Sequence, residues 1–498
     1  MNVGVMNVGA INPENPLSDD QVIRIAADFA LHNLVRTAPV FSAALPTSRA
    51  RYAAAIFVCM AAGFAVSPIW GSESTALLLS APFASIILVR LAALCHAVTN
   101  TPTTASQSCR LSDYDLPSYT VLVPVYDETA VAPALVEAMR ALDYPPGRLQ
   151  ILFVTEQNDV ATRRALHAAG LTENMRVLIV PEGLPRTKPR ALNFALQFAT
   201  GELVTVFDAE DIPEPAQLRR AAARFASEDG ELVCLQARLN IYNPRACFLT
   251  RQFTLEYTAL FDAILPSLSR LGWAVPLGGT SNHFRRSALI SAGAWDPYNV
   301  TEDADLGFRL ARLGKRVELI SSTTWEEAPS TFSAWFGQRT RWLKGWMQTY
   351  EVHMREPSKL WRELGAWRFM GFQITLGGLI LSALVHPWLY LFALYGIVSG
   401  GLEGSGLPLT YDHSISEILC LAILAAGYIS GIALVAISVW RRGGTDLLSA
   451  ALGVPLYWLA ISCAAYFAVA EFFLRPSHWQ KTPHAARETN AGYHMDAA

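Results

Sequence analysis

Charged residues are scarce in this 498-residue chain: they make up 16% of it, against about 25% in an ordinary soluble domain. Hydrophobic residues make up 52%, and the mean hydropathy is +0.26. These values argue against a wholly water-soluble protein and favour a soluble part joined to membrane-embedded helices. The 39 basic and 42 acidic residues nearly cancel, without a long run of one sign. We therefore expect no nucleic-acid partner.

Several motifs of common binding sites are also missing. The seven cysteines form no CxxC pair, which argues against a zinc finger or a disulfide framework. The histidines lack HExxH spacing, so a zinc site is not expected either. The central region has no GxGxxG and no GxxxxGK[ST], the phosphate-binding turns of dinucleotide folds and P-loop NTPases. A phosphate-bearing ligand would therefore need a divalent cation on carboxylates, together with Arg or Lys side chains.

The first apolar region predicts two membrane crossings. Residues 52–98 contain only Glu73 and Arg90 as charged residues. On either side of Glu73 the chain is long enough for the roughly 20 residues that a spanning helix needs. We predict a cytosolic segment over residues 1–48 and two transmembrane helices within residues 49–100.

Apolar character returns towards the end of the chain. Three stretches there contain no Asp, Glu, Lys or Arg, namely residues 369–402, 418–440 and 447–470. We expect interfacial and transmembrane helices over residues 355–474 and a cytosolic tail over residues 475–498.

The basic residues beside these stretches predict their orientation, because Lys and Arg accumulate on the cytosolic side. Arg49 and Arg51 precede the first stretch, Arg441 and Arg442 follow a later one, and the loop over residues 400–417 has no basic residue. The central domain should therefore face the cytosol.

The last apolar segment leaves two arrangements open. The basic residues after it would stay in the cytosol if residues 447–474 lay in the membrane interface, which we favour. A single span that ends outside is the alternative. In the stretch before it, Pro387 predicts a kink.

From Tyr119 onward, short apolar runs alternate with helical patterns. The runs are TVLVPV, LQILFVT, RVLIVP and LVTVF, and this alternation is typical of a parallel sheet. Strands buried on both faces are continuously apolar, as these are. We predict a Rossmann-like, parallel-sheet α/β domain over residues 110–350, inserted between the N- and C-terminal transmembrane helices.

Acidic residues follow several of these strands. Asp127 follows the first, Glu156 ends the second, and Asp208 and Glu210 follow the fourth. Open parallel sheets bind ligands at this edge. Asp208 and Glu210 are two residues apart and can face one hard cation that also keeps water and ligand oxygens. The alternative is an acidic turn that caps the next helix.

Two later motifs accompany this pattern, TED at 301–303 and QRTRW at 338–342. In isolation, the first is a capped helix start and the second a basic, aromatic helix against the membrane. The ordered set resembles the processive glycosyltransferases of family 2, the cellulose, hyaluronan and poly-N-acetylglucosamine synthases. The motifs that carry this resemblance are VPVYDE at 123–128, KPRALN at 188–193, FDAED at 207–211, TED and QRTRW.

The resemblance covers about residues 110–350 and implies a GT-A fold. The wording of TEDADLGFRLARLG, QRTRWLKGW and WQKTPH looks closest to a bacterial subgroup that includes proteins called phage adsorption protein B. This subgroup implies a multi-pass protein of the bacterial inner (plasma) membrane with a cytosolic catalytic domain.

The resemblance further implies a donor site for a UDP-sugar. Asp208 and Glu210 would hold Mg²⁺ or Mn²⁺, with Asp211 as a competing ligand because the family's commoner third residue is Asp. Thr482, within WQKTPH, would lie in a loop that closes over the nucleotide, unless this segment is a solvated basic tail. The other donor contacts are implied for Asp127, Glu156, Lys188, Gln338 and Arg341.

Catalytic and acceptor roles are implied in the same way. Asp303 matches the catalytic base, and Trp342 matches the aromatic platform under the acceptor sugar. The acceptor end would also contact Gly279, Thr280 and Glu302. For the glycine-rich segment around Gly279, a flexible turn between helices is the alternative.

These residue types suit the chemistry of glycosyl transfer. A departing nucleoside diphosphate gains negative charge, which a divalent cation and Arg341 would stabilise. One base must take the acceptor's proton, and Asp303 would supply about 10²- to 10⁴-fold in rate. A single displacement inverts the anomeric carbon, so an α-linked donor would give a β-linked product.

The sequence thus predicts a membrane-integrated, inverting glycosyltransferase. It would polymerise a β-linked polysaccharide from a UDP-sugar and feed the growing glycan across the lipid bilayer. Export proteins of the periplasm or outer membrane are candidate partners. Two alternatives stay open: a nonprocessive transferase that adds one sugar to a lipid phosphate, and a noncatalytic surface receptor or export scaffold.

Overall fold

The computed structural model describes residues 18–45, 81, 83–99, 111–228, 230–403 and 415–475. Within these ranges, an α/β domain is joined to long apolar helices. The first predicted transmembrane helix and Thr482 lie outside the described residues.

The described chain forms eight strands. They are β1 (Tyr119–Val125), β2 (Leu149–Glu156), β3 (Met175–Val180), β4 (Leu203–Val206), β5 (Ile212–Pro213), β6 (Leu232–Ile241), β7 (Asn282–Arg285) and β8 (Arg316–Glu326).

Fifteen α-helices are labelled in the described residues. They are α1 (Asp19–Thr37), α2 (Phe83–Thr99), α3 (Ala132–Arg140), α4 (Val160–Ala168), α5 (Lys188–Leu196), α6 (Gln217–Ala226), α7 (Phe248–Ala259), α8 (Leu265–Arg270), α9 (Arg286–Ser291), α10 (Glu302–Arg312), α11 (Phe332–His353), α12 (Pro357–Phe372), α13 (Leu379–Glu403), α14 (Ile415–Arg441) and α15 (Val454–Leu474).

The sheet is mixed, and this corrects the prediction of a parallel sheet. Its strand order is β3-β2-β1-β4-β7-β6-β8-β5. The first four strands along the chain pair in parallel as predicted. Strand β7 runs antiparallel between β4 and β6, and β5 runs antiparallel to β8. The segment interpreted as a turn between helices, residues 277–284, ends in β7, because its backbone pairs with β4 on one side and β6 on the other.

Alternate residues of the central strands pack on opposite faces of the sheet, as the pleat requires. Val121 and Val123 of β1 belong to a core with α3, α4 and α6. Leu122 between them belongs to a second core with α5, α7 and α10. Both faces are therefore covered by helices, which explains the continuous apolar runs.

Helix α1 packs against α5. It starts with a capping box, in which the Ser18 hydroxyl accepts from the Gln21 N–H and the Gln21 side chain accepts from the Ser18 N–H. Ala26 and Ala30 are buried in the second core, and the Asn193 amide of α5 donates to the Ala30 carbonyl over 3.2 Å. This part of the N-terminal segment therefore belongs to the folded domain.

Three segments of the described chain are long and apolar enough to cross a membrane: Pro357–Leu391, Leu421–Arg441 and Thr445–Leu474. Helix α2 is apolar too but has only the length of Phe83–Thr99. The last segment is therefore long enough to span the membrane, which was the alternative arrangement. Its placement in the membrane interface stays a prediction. Pro387 lies inside α13.

Helix α12 is interrupted within the first of these segments. Gly365 has φ 71° and ψ 168°, a backbone conformation that glycine adopts without steric cost. Trp361 and Trp367 on either side are about half exposed, as aromatic residues at a membrane interface often are.

Candidate functional site

A cavity of about 1010 Å³ lies at the carboxyl ends of β1, β2 and β4, next to the apolar helices. Eleven of the thirteen predicted site residues line it: Glu156, Lys188, Asp208, Glu210, Gly279, Thr280, Glu302, Asp303, Gln338, Arg341 and Trp342.

The other two predicted residues do not line it in the described structure. Asp127 is exposed and has a φ of 55°, and its N–H donates to Asp159 Oδ2 over 2.6 Å. It lies beside Tyr126 and Glu128, which do line the cavity, so the structure places Asp127 at the rim. Thr482 is outside the described residues.

Lys188 joins the turn after β4 to the glycine-rich segment before β7. At the start of α5, its ammonium forms an ion pair with Asp208 and donates to the Gly279 carbonyl over 2.7 Å. Burial alone would lower the Lys188 pKa, but the carboxylates of Asp208, Glu302 and Asp303 raise it overall. Lys188 therefore remains a cation within a group of carboxylates.

The acidic turn after β4 is held by Asp211. The Asp211 Oδ2 accepts the Asp208 N–H over 2.7 Å and also the Thr280 hydroxyl. Asp211 is 2% exposed, and burial together with Asp208 and Glu210 raises its pKa well above the usual value. The Asp211 contacts support the turn and tie it to Thr280, whose acceptor role stays a prediction.

Asp208 and Glu210 could hold a divalent cation in this turn. Burial and the nearby Asp208 raise the Glu210 pKa to about 7, a repulsion that a cation would offset. No three His, Cys, Asp or Glu side chains of the described chain are grouped closely enough to hold an ion. The pair therefore fits a cation such as Mg²⁺, which is commonly bound by one or two carboxylates, water and substrate phosphates.

Glu302 and Asp303 begin α10 on the opposite wall. Burial raises the Asp303 pKa to about 6, although the Ala304 N–H and Lys188 oppose the rise. Burial and Asp303 raise the Glu302 pKa to about 8. A Cβ on Gly279 would lie 3.2 Å from Asp303 Oδ2, so the glycine leaves this carboxylate accessible.

Helix α11 presents three predicted residues on one face, because Gln338, Arg341 and Trp342 are three and four positions apart. Burial lowers the Arg341 pKa, while Glu302, Asp208 and other carboxylates oppose the change. The Trp342 ring stacks on Tyr257 with a centroid distance of 6.3 Å and an interplanar angle of 25°. The structure thus brings the acidic strand ends and this helix to one cavity.

Sequence reasoning missed two buried groups. Arg190 is 2% exposed, and its Nη1 lies 3.2 Å from each Glu156 oxygen. Burial, with the charges of Asp211 and Glu210, raises the pKa of the cavity-lining Glu326 well above its usual value. Arg190 lies within the motif KPRALN, but no neighbouring residue in the sequence indicates that it pairs with Glu156. Glu326 stands between Trp325 and Glu327, and this acidic, aromatic pattern does not decide between the cavity and the solvent.

Comparison with known proteins agrees with this fold. Residues 117–345 match the family model described as glycosyltransferase like family 2. This central region is therefore similar to a family 2 glycosyltransferase domain. It comprises just under half of the chain.

Curated relatives match about half of the chain. The chain is 30% identical over 237 residues to the beta-monoglucosyldiacylglycerol synthase of Trichormus variabilis, which is 47% of this chain and 50% of that protein. It is 28% identical over 260 residues to the probable glucomannan 4-beta-mannosyltransferase 1 of Arabidopsis thaliana, covering 50% and 47%. The chain thus spans about half the length of these relatives.

A solved structure shares the fold. It is the mannosyltransferase PcManGT from Pyrobaculum calidifontis in complex with GDP-Man and Mn²⁺, with a TM-score of 0.53 and 19% identity, over 80% of this chain and 98% of that one. This likeness supports the GT-A-like α/β fold.

Proposed function

We propose that this protein is a membrane-bound hexosyltransferase that takes a nucleotide-sugar donor on the cytosolic side of a bacterial inner membrane. The observation that carries the proposal is the convergence of Asp208, Lys188, Asp303 and Arg341 on one cavity next to the apolar helices. If these residues only capped a turn, began a helix and formed a basic surface helix, nothing would require them to line the same cavity.

Asp208 and Glu210 would hold Mg²⁺ or Mn²⁺, which when bound neutralises charge on the donor diphosphate. Arg341 faces the same carboxylates and would contact the leaving phosphate as its negative charge grows. Gln338 lines the same cavity, and its Nε2 amide would donate to a phosphate oxygen.

Asp303 is the proposed base. It removes the proton from the acceptor hydroxyl while the hydroxyl oxygen bonds to the anomeric carbon and the carbon–oxygen bond to the phosphate breaks. Lys188 keeps a positive charge beside Asp303 and Asp208. One displacement gives inversion, and so a β-linked product from an α-linked donor.

For the acceptor we propose a growing β-glycan fed across the bilayer, because Trp342 presents an aromatic ring to the cavity beside Tyr257. UDP-sugar is the proposed donor, and export proteins are proposed partners beyond the membrane.

A lipid acceptor is the second candidate. The cavity wall near the membrane is aliphatic and includes Ile86, Val89, Ile264 and Leu379, which suits an acyl or isoprenoid chain. The likeness to a monoglucosyldiacylglycerol synthase supports the same candidate.

The test uses detergent-purified full chain with Mn²⁺ or Mg²⁺ and a panel of UDP- and GDP-sugars. We expect nucleotide release with at least one UDP-sugar and a loss of about 10²- to 10⁴-fold in Asp303→Asn. Extraction of labelled product into organic solvent would show a lipid acceptor, and product length after hydrolase digestion would show a glycan. No release with any donor would favour a noncatalytic receptor or scaffold.

A further inference from the structure

A buried guanidinium lies beside Trp342 and has no role in the mechanism above. Arg339 is 4% exposed, and its Cζ lies 4.6 Å from the centroid of Trp342 and 4.5 Å from that of Phe253. A guanidinium over an aromatic face is attracted electrostatically, and the attraction strengthens where water is excluded. Arg339 therefore restricts the position of the Trp342 ring.

Glu256 of α7 neutralises this cation. Arg339 Nη1 donates to Glu256 Oε1 over 2.8 Å, and Nη2 lies 2.7 Å from Oε2. The hydrogen bond from Nη1 and the close approach of Nη2 hold the guanidinium against one carboxylate. Tyr257, on which Trp342 stacks, is the next residue of α7. The pair thus sets the spacing between the two helices that carry the stacked rings.

Tyr457 connects the pair to α15, one of the apolar helices. Its hydroxyl donates to Glu256 Oε2 over 2.7 Å and accepts from Trp335 Nε1 over 3.2 Å. Tyr457 is 2% exposed, so the contact lies within the packed junction of α7, α11 and α15. A second ion pair, between buried Lys344 and half-buried Glu471 at 2.8 Å, also joins α11 to α15.

We propose that Glu256, Arg339 and Tyr457 form a positioning triad that holds Trp342 against the acceptor and makes its placement depend on membrane helix α15. The inference rests on the proposed function, since it takes Trp342 as the acceptor platform. Loss of the triad should weaken acceptor binding more than donor binding. The proposed donor residues Asp208 and Lys188 are held by their own ion pair, which does not involve the triad.

A loosened acceptor leaves room for water at the anomeric carbon. Water then attacks, its oxygen bonds to that carbon, its proton passes to Asp303, and free sugar and nucleoside diphosphate leave. The quantity to measure is therefore the labelled sugar found in glycan and lipid products divided by the nucleotide released.

The experiment uses native membranes that contain the full chain and its endogenous acceptors, with a ¹⁴C-labelled nucleotide-sugar that the wild type consumes. Replacing only one member of a buried ion pair leaves an uncompensated charge, so the first variant is the double substitution Glu256→Gln with Arg339→Met. We expect the ratio of transferred sugar to released nucleotide to fall by about fivefold or more.

Tyr457→Phe provides a milder test, since it removes one hydroxyl and keeps the ring. We expect the ratio of transferred sugar to released nucleotide to fall by about twofold to threefold in this variant. If the double variant does not accumulate in the membrane, Tyr457→Phe alone tests the triad. Tyr144→Phe is the matched control, because that hydroxyl donates to the Pro117 carbonyl outside the cavity and its loss should leave the ratio unchanged.

An unchanged ratio in Tyr457→Phe, or a parallel loss of transfer and release at constant ratio, would overturn the triad's positioning role. A wild type that consumes no nucleotide-sugar would instead overturn the proposed function.

Discussion

Asp303 and Glu302 are adjacent carboxyl groups with raised pKa values of about 6 and about 8. A base with a pKa near 6 is mostly ionised at neutral pH and still accepts a proton readily. The burial of these groups therefore suits the role proposed for Asp303.

We predict that kcat/KM falls as the pH drops through about 6. The sign follows from the direction of the shift: the Asp303 pKa is raised from 3.8 to about 6, so the active, ionised form is present above pH 6 and lost below it. Initial rates measured between about pH 4.5 and pH 8 would check this.

The control for this profile is Asp113→Asn, because Asp113 forms a surface ion pair with Arg219 outside the cavity. Its acid limb should match that of the wild type. A wild-type profile that stays flat down to about pH 4.5 would contradict the assignment of Asp303 as base.

At the scale of elements, the contact between α10 and α11 sets the distance between Asp303 and Arg341. Gly345 of α11 packs on Thr301, the residue before α10, and a Cβ there would lie 2.4 Å from Thr301 Cγ2. One methyl group at this point must push the helices apart, since packed interiors absorb added volume poorly.

We predict that Gly345→Ala destabilises the protein by about 1–3 kcal/mol and lowers kcat, despite the roughly 1 kcal/mol by which alanine favours a helix over glycine. Thermal unfolding in detergent and initial rates would measure the two effects. Gly147→Ala is the control, because no atom lies within 4 Å of its added Cβ. Equal stability of the two variants would show that α10 and α11 accommodate the methyl group.

The strands also show which parts of the fold can be predicted from the sequence. Strands β1 to β4 follow from local apolar runs, since each of the four runs named from the sequence overlaps one of these strands. Strand β7 was not predicted, because its four residues have no distinctive pattern and gain their pairing only from β4 and β6.

The same limit applies to the candidate site. Asp208, Asp303 and Arg341 could be selected from motifs, and the structure brings them to one cavity. The partners Arg190 of Glu156 and Asp211 of Thr280 lie 34 and 69 residues away along the chain, so spacing could not reveal them. The predicted roles of all these residues stay predictions until activity is measured.

At the scale of the whole molecule, we predict that Mn²⁺ stabilises the folded protein. A ligand that binds only the folded state adds about 2.7 kcal/mol at 100 times its Kd, so Tm in detergent should rise with Mn²⁺ and fall back with EDTA. Asp208→Asn should remove most of the rise, whereas Asp113→Asn should keep it. An equal rise in Asp208→Asn would place the cation elsewhere.

The three long apolar segments predict integral membrane association. We expect the full chain to remain in the membrane pellet after washing at about pH 11, because burial of about 20 apolar residues per span resists charge reversal at the surface. Immunoblots of pellet and supernatant would measure this. Release into the supernatant would show that these segments pack against protein rather than lipid.

The packing of α1 on α5 has a consequence for the smallest independently folding unit. The matched region, residues 117–345, omits α1 and the backbone N–H of Ala43, which donates to buried Asp296 over 2.6 Å. A polypeptide trimmed to that region would uncover the apolar side of α5 and leave Asn193 without its Ala30 acceptor. We expect such a fragment to aggregate unless residues 18–45 are supplied, covalently or as a separate peptide.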